Sequence, residues 1–210
     1  LTGRSDETIA LVEAYCKASN ILSKDELLTF AFDPVYNRLG VSPHYLAALE
    51  MQNFLGSSLY ALEDVADVVI RNRAAAIGNP LAPYGGTVAG EDVLGGRPIA
   101  TPVTDTMVAR HSDAAVVIVL VTDEIAKATA KKPVYVSGTG WGSANSIIER
   151  RDHAFSEGTA IAAKMALEEA GVENPADDFD VFYLSDIYAH RQLMHMGALG
   201  LSDEQLPVIN

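Results

Sequence analysis

The sequence predicts an α/β layered fold, with helices packed on a central mixed sheet and a helical excursion set before it. Three observations carry this. Residues 114 to 199 alternate between short β-prone runs and segments with helical spacing; two capped amphipathic helices precede them; and a Pro/Gly-rich stretch joins the two regions. At 210 residues, 49% hydrophobic and 20% charged, the chain has room for one core or one and a half.

Taken in order, Ile9 to Val12 reads as a strand that runs into a polar loop at Glu13 to Ser19. Ser42-Pro43 is a helix start, a capping hydroxyl followed by proline at the first helical position. Tyr45, Leu46, Leu49, Met51 and Phe54 supply that helix's apolar side up to Gly56. A second helix is expected over Tyr60 to Ile77, with Glu63 and Asp64 in its first turn and Arg71 and Arg73 later, matching the helix dipole. Gly78-Asn79-Pro80 stops it, and residues 79 to 104 read as a long loop. Ala114 to Val121 reads as a strand buried on both faces, Asp123 to Ala130 as a helix behind Thr122, and Pro133 to Ser137 as another strand. Gly158 to Ala170 is an amphipathic helix with Ile161, Met165 and Leu167 inward and Gly171 as its stop. Asp180 to Leu184 is the next strand and Ala189 to Leu199 the next helix.

Composition excludes several functions. A net charge of −13, with Lys and Arg scattered, argues against a nucleic-acid partner, because neutralising phosphates needs clustered cations. The longest apolar run, Ala114 to Val121, has eight residues where a membrane-spanning helix needs about 20. One cysteine, Cys16, forms no disulfide within the chain and fits a reducing, cytoplasmic setting. The chain opens on Leu1 with no secretory signal, which suggests a trimmed or partial sequence.

Few motifs carry chemistry by themselves. Gly138-Thr139-Gly140-Trp141-Gly142 follows a predicted strand, but its third glycine is misplaced for a dinucleotide loop, so tight packing explains it better. Asp177, Asp178 and Asp180 form an acidic turn without the glycine and distal glutamate of a calcium loop. No two of His44, His111, His153, His190 and His195 stand four residues apart, the spacing that would give a helix two zinc ligands. Cys16 follows a strand with no helix start beside it, which favours a packed thiol over a nucleophile. The best site candidate is Ser185-Asp186-Ile187-Tyr188, between a predicted strand and helix, where open α/β sheets bind ligands. The plainer reading is that Ser185 or Asp186 caps the helix that follows.

Taken together the segments resemble the thiolase superfamily, in particular its sterol-carrier-protein type and thiolase-like relatives. Ile9 to Ser19 is similar to the strand and turn that close the first thiolase half, with Lys17 and Ser19 kept and Cys16 in a glutamate's place. Glu63 to Ala74 with Asn79-Pro80-Leu81-Ala82 resembles the helix and turn of the lobe over the active site. His111-Ser112-Asp113-Ala114-Ala115 resembles the lead-in to the second half's first strand, and Asp180 to Tyr188 the stretch in which relatives carry a histidine or asparagine where Ser185 stands.

The resemblance implies a partial layered thiolase-like fold: residues 1–41 end a first half, 42–104 form a helical cap, and 105–210 belong to an incomplete second half. It implies a subunit acting on a coenzyme A thioester, by acyl transfer with carbon–carbon cleavage or formation and no covalently bound cofactor. The nucleophilic cysteine would lie before Leu1, and further motifs after the region that Leu206 to Asn210 resembles. Strand edges and apolar faces would then be exposed in the isolated chain. Catalytic roles fall to Ser185, as an oxyanion donor, and Tyr188; contacts to the thioester fall to Arg110, His111 and Asp186. A retro-aldol lyase working with a small zinc-containing OB-fold partner, or a scaffold subunit without chemistry, are the alternatives. A homodimer or larger assembly is expected.

Overall fold

The computed structural model describes residues 9–11, 41–82, 84–110, 117–129, 132–145 and 147–201. Expectations for Cys16, Lys17, Ser19, His111 and Leu206 to Asn210 lie outside them. In chain order the elements are strand β1 (Ile9–Leu11), helices α1 (Pro43–Ser57), α2 (Leu62–Ala76) and α3 (Gly90–Leu94), strands β2 (Pro98–Ala100), β3 (Val103–Thr104) and β4 (Ile118–Leu120), and helices α4 (Asp123–Thr129), α5 (Glu157–Ala170), α6 (Pro175–Asp178) and α7 (Ala189–Ala198). The chain divides into two compact units, Leu1–Leu27 with Ser112–Val136, and Leu28–His111 with Ser137–Asn210. No helix among the described residues is long and apolar enough to cross a membrane.

In the first unit β1 pairs antiparallel with β4, Ile9 opposite Leu120. The expectation of a strand buried on both faces is corrected: β4 is three residues long, and Val117 to Val121 are all exposed. A strand is buried on both faces when layers cover it, and β4 has one ladder partner, β1, among the described residues. Residues 133 to 137 make no ladder either, although a strand was expected there. Tyr135 instead donates its hydroxyl to Asp123 at 2.9 Å.

The second unit holds the core. α1 begins as its sequence dictates: the Ser42 hydroxyl accepts the His44 N–H at 3.3 Å and Pro43 takes a position that has no helical partner to offer. Leu46, Met51 and Phe54 are buried, whereas Tyr45 and Leu49 are exposed, so its apolar stripe is narrower than the spacing suggested. At the start of α2 the Asp64 carboxylate reaches back to accept the Ala61 N–H at 2.6 Å. Val65, Val68 and Val69 pack inward, in one cluster with Leu193 and Met196 of α7.

The loop expected over residues 79 to 104 contains α3 and the β2–β3 hairpin, whose turn carries a cis Thr101–Pro102 bond. Both pieces are too short to show a period, and each is fixed by a buried valine, Val93 and Val103. The Thr104 and Thr106 hydroxyls both donate to the Val93 carbonyl, at 3.0 and 2.9 Å, which holds the short helix against the hairpin.

α5 ends at Gly171, whose φ of 68° is the left-handed conformation that glycine adopts without strain. Its expected inward face is corrected. None of its residues is buried and Ile161 is exposed. The helix turns its small residues to the Gly138–Gly142 segment instead: a Cβ on Gly138 would collide with the Ala166 carbonyl, one on Gly140 with the Ala162 carbonyl, and one on Gly142 would sit 2.6 Å from the Gly158 carbonyl. Small residues at four-residue intervals let two backbones meet, with Ile161 bordering Gly142 at the edge of the seam and Met165 and Leu167 half-buried. Residues 180 to 184 form no strand of their own, although Phe182 takes part in an isolated bridge, and Tyr188 bridges antiparallel to Val108. Chain direction is held there by the Ala109 N–H, which donates to the Ile187 carbonyl at 2.9 Å.

Candidate functional site

The site grows from three pieces of the second unit. The glycine segment lies close on α5, which brings Gly140 to Ala144 beside the N-terminal turns of that helix. The chain before α7 delivers Ser185. α7 itself presents Arg191, Met194 and His195, whose spacing of three and four residues sets them on one helical face. Together they line a cavity of about 700 Å³, closed further by Trp141, Arg151 and His153 and with Glu50 of α1 in its wall. That is within the roughly 300–1,000 Å³ usual for small-molecule sites.

Ser185 is exposed within this cavity, and it does not cap α7: the N-cap is Tyr188 and no side chain caps the helix. The plain capping reading of Ser185 and Asp186 is therefore excluded. Burial pushes the His195 pKa down, the Arg191 charge adds to that, and the Ser185 carbonyl only partly opposes them, so the imidazole lies below its ordinary value.

Behind the cavity Arg191 grips Glu50, with Nε at 2.9 Å and Nη2 at 2.8 Å from the same carboxylate oxygen. His190 Nε2 lies 3.8 Å from that oxygen, beyond hydrogen-bond range, and this buried nitrogen has no partner among the described residues. We take the His190–Glu50 pair as an electrostatic contact. Burial would raise the Glu50 carboxyl, but His190 and Arg191 outweigh it and hold it below its ordinary value. Burial dominates at His190, whose pKa is lowered despite Glu50.

These shifts give stability a direction with pH. With folded pKa values below 6.5, His190 and His195 bind fewer protons in the folded chain than in the unfolded one, so protonation favours unfolding as pH falls below about 6.5. Glu50 acts in the same sense lower down: its contribution is present above 4.5 and lost as pH falls through its folded value. The urea midpoint of the complete protein is expected to be level above about pH 7.5 and to fall steadily on acidification. A midpoint that stays level or rises between about pH 6.5 and 5 would contradict this account.

Of the expected site residues that are described, Ser185 alone lines the cavity. The Tyr188 ring is buried, its hydroxyl is 3.0 Å from His44 Nδ1, and the Arg191 guanidinium lies 4.8 Å over its ring. Asp186 accepts from Asn72 Nδ2 at 2.9 Å, and the same nitrogen donates to Gln192 at 2.7 Å, tying α2 to the start of α7. Arg110 is exposed and stacks over Tyr84 at 5.4 Å. Arg151 carries no motif signal, Trp141 enters only within the glycine segment, and His195 only as a histidine without zinc-ligand spacing; the signal for His195 is its spacing from Arg191 and Met194. Among the described residues no cluster of His, Cys, Asp or Glu is placed to hold a metal ion.

No protein-family model matches the chain. Over 155 residues, 73% of its length, it is 28% identical to the benzoylsuccinyl-CoA thiolase subunit BbsB of Thauera aromatica, of which it covers 40%. Among solved structures, the Ltp2-ChsH2(DUF35) aldolase superposes with a TM-score of 0.78 at 19% identity, over 96% of this chain and 58% of that one. A monomeric SCP2-thiolase like protein type 1 from Mycobacterium smegmatis gives 0.70 at 20% identity, over 83% of this chain and 41% of that one. The fold is thiolase-like, as the sequence resemblance implied, and the chain spans about two fifths of the curated relative it matches.

Proposed function

We propose that this thiolase-like chain supplies one wall of the site of a subunit that makes or breaks a carbon–carbon bond beside a coenzyme A thioester. The observation that carries the reading is that Ser185 and His195 line one cavity of about 700 Å³. An exposed hydroxyl donor suits the oxygen of a thioester or its enolate, and an imidazole beside it suits a proton. The likeness to a thiolase subunit supports the substrate class. In this reading the thioester is a substrate, and Arg110, His111 and Asp186 contribute to its binding. The acyl-accepting cysteine of a thiolase reaction would come from elsewhere in the complete protein.

A retro-aldol reaction is the second reading. Ser185 favours it, because it stands where thiolase relatives carry histidine or asparagine, and so does the 96% of this chain covered in the superposition with an aldolase. It would bring a small zinc OB-fold partner with it, and an assembly of several subunits.

One experiment tests both. The complete protein, with any subunit that co-purifies, is given a 3-ketoacyl-CoA plus free coenzyme A, and separately a 3-hydroxyacyl-CoA. Two shorter thioesters from the first identify thiolysis. A shorter thioester plus a free aldehyde or ketone from the second identifies retro-aldol cleavage. Neither product, with no binding of either thioester, would sink the proposal and leave a scaffold role.

A further inference from the structure

We propose that His195 carries the proton to and from the α-carbon of the bound thioester, taking over work that the Ser185 hydroxyl cannot do. The inference rests on the reading of the cavity as a thioester site. A serine hydroxyl donates a hydrogen bond but does not shuttle protons near neutral pH, whereas an imidazole does. Ten residues after Ser185, on the face of α7 that also carries Arg191 and Met194, His195 lines the same cavity. In the neutral form one ring nitrogen carries the proton and the other is the free base, and burial holds the His195 pKa down in favour of that form. Ser185 and His195 thus face one cavity. A thioester whose oxygen meets the Ser185 hydroxyl is set close to the His195 ring.

The second imidazole of the cavity, His153, is bound to the Ile148 carbonyl at 2.9 Å within its own turn. The charged and titratable groups facing His195 are Arg191 and His190 of α7 and Glu50 of α1. Arg151, Asp152, His153 and Glu157 also line the cavity. Arg191 is neutralised by Glu50, which leaves the neutral imidazole in a weakly charged corner.

The step balances without another reactant. The free ring nitrogen of His195 takes a proton from the α-carbon, the C–H bond breaks, and its electron pair passes to the thioester oxygen as an enolate held by the Ser185 hydroxyl. The imidazolium then returns the proton to the same carbon. Thiolase and retro-aldol readings share this transfer, since both pass through an α-carbanion equivalent.

The test is α-carbon exchange of acetyl-CoA in deuterated water by the complete protein, followed by mass spectrometry, with binding measured by calorimetry. We expect catalysed exchange in the wild type and a loss of about 10² to 10⁴ in rate for His195→Gln, with the acetyl-CoA Kd within about threefold. Exchange retained in His195→Gln overturns the proposal and leaves the thioester reading standing. So does the same loss in His153→Gln with none in His195→Gln, which moves the proton to His153. Binding without exchange in the wild type overturns the proposal alone; neither binding nor exchange overturns both. If His195→Gln loses its circular dichroism, the wild-type pH profile decides. A rate rising about tenfold per pH unit below the imidazole pKa and level above it supports the proposal, and a flat profile from about pH 5 to 8 overturns it.

Discussion

Gly140→Ala is expected to lower the stability of the complete protein by about 3 kcal/mol or more, the upper end of what overpacking costs. The added methyl would be driven into the Ala162 carbonyl, with the Ala166 N–H 3.1 Å away. Those are main-chain atoms in the middle of α5, so relief needs the helix or the segment to shift as a whole. Neighbouring glycines leave little room for that, because Gly138 meets Ala166 and Gly142 meets Gly158 along the same seam. Gly86→Ala is the comparison, since nothing lies within 4 Å of a Cβ there, and it should stay within about 0.5–1 kcal/mol of the wild type. Urea midpoints measure both. Similar midpoints for the two variants would mean that the seam yields to the added methyl. Because Gly140 and Gly142 also line the cavity, activity should fall together with stability in Gly140→Ala.

That seam also shows how far the sequence could be read. Helices with strong local signals were legible: Ser42-Pro43 opens α1 and Glu63-Asp64 opens α2, and both effects act within one turn. Strands were less so, because their apolar runs report that burial is wanted and not what supplies it. Val117 to Val121 has the composition of a two-faced strand, yet is exposed with β1 as its ladder partner among the described residues. The α5 face was misassigned for a related reason. Hydrophobic spacing favours Ile161 and Leu167, whereas the close backbone approach is made at Gly158, Ala162 and Ala166, with Ile161 only bordering Gly142. At the site, Ser185 was legible from its place before a predicted helix, but His195 was not, because the histidines were weighed only as metal ligands. Asking which residues share a face with Arg191 would have found it.

Ser185→Ala is expected to reduce kcat/KM for the thioester substrate by about 10² to 10³, the size of one lost oxyanion donor, with stability changed by no more than about 0.5 kcal/mol. The two halves of this expectation come from the same geometry. Ser185 is exposed in the cavity, so removing its hydroxyl leaves no buried polar group without a partner. Since Tyr188 and not Ser185 stands at the α7 N-cap, no helix end is uncapped either. The substitution leaves the backbone and His195 untouched, so what is lost is the hydroxyl donor alone. Ser185→Asn, which restores an N–H donor of the kind thiolase relatives carry at this position, should recover part of the rate. Turnover with a CoA thioester and thermal midpoints, measured on the same preparations, separate the alternatives. An unchanged rate would remove Ser185 from the chemistry, whereas a rate loss with an equally lowered midpoint would assign it a structural role.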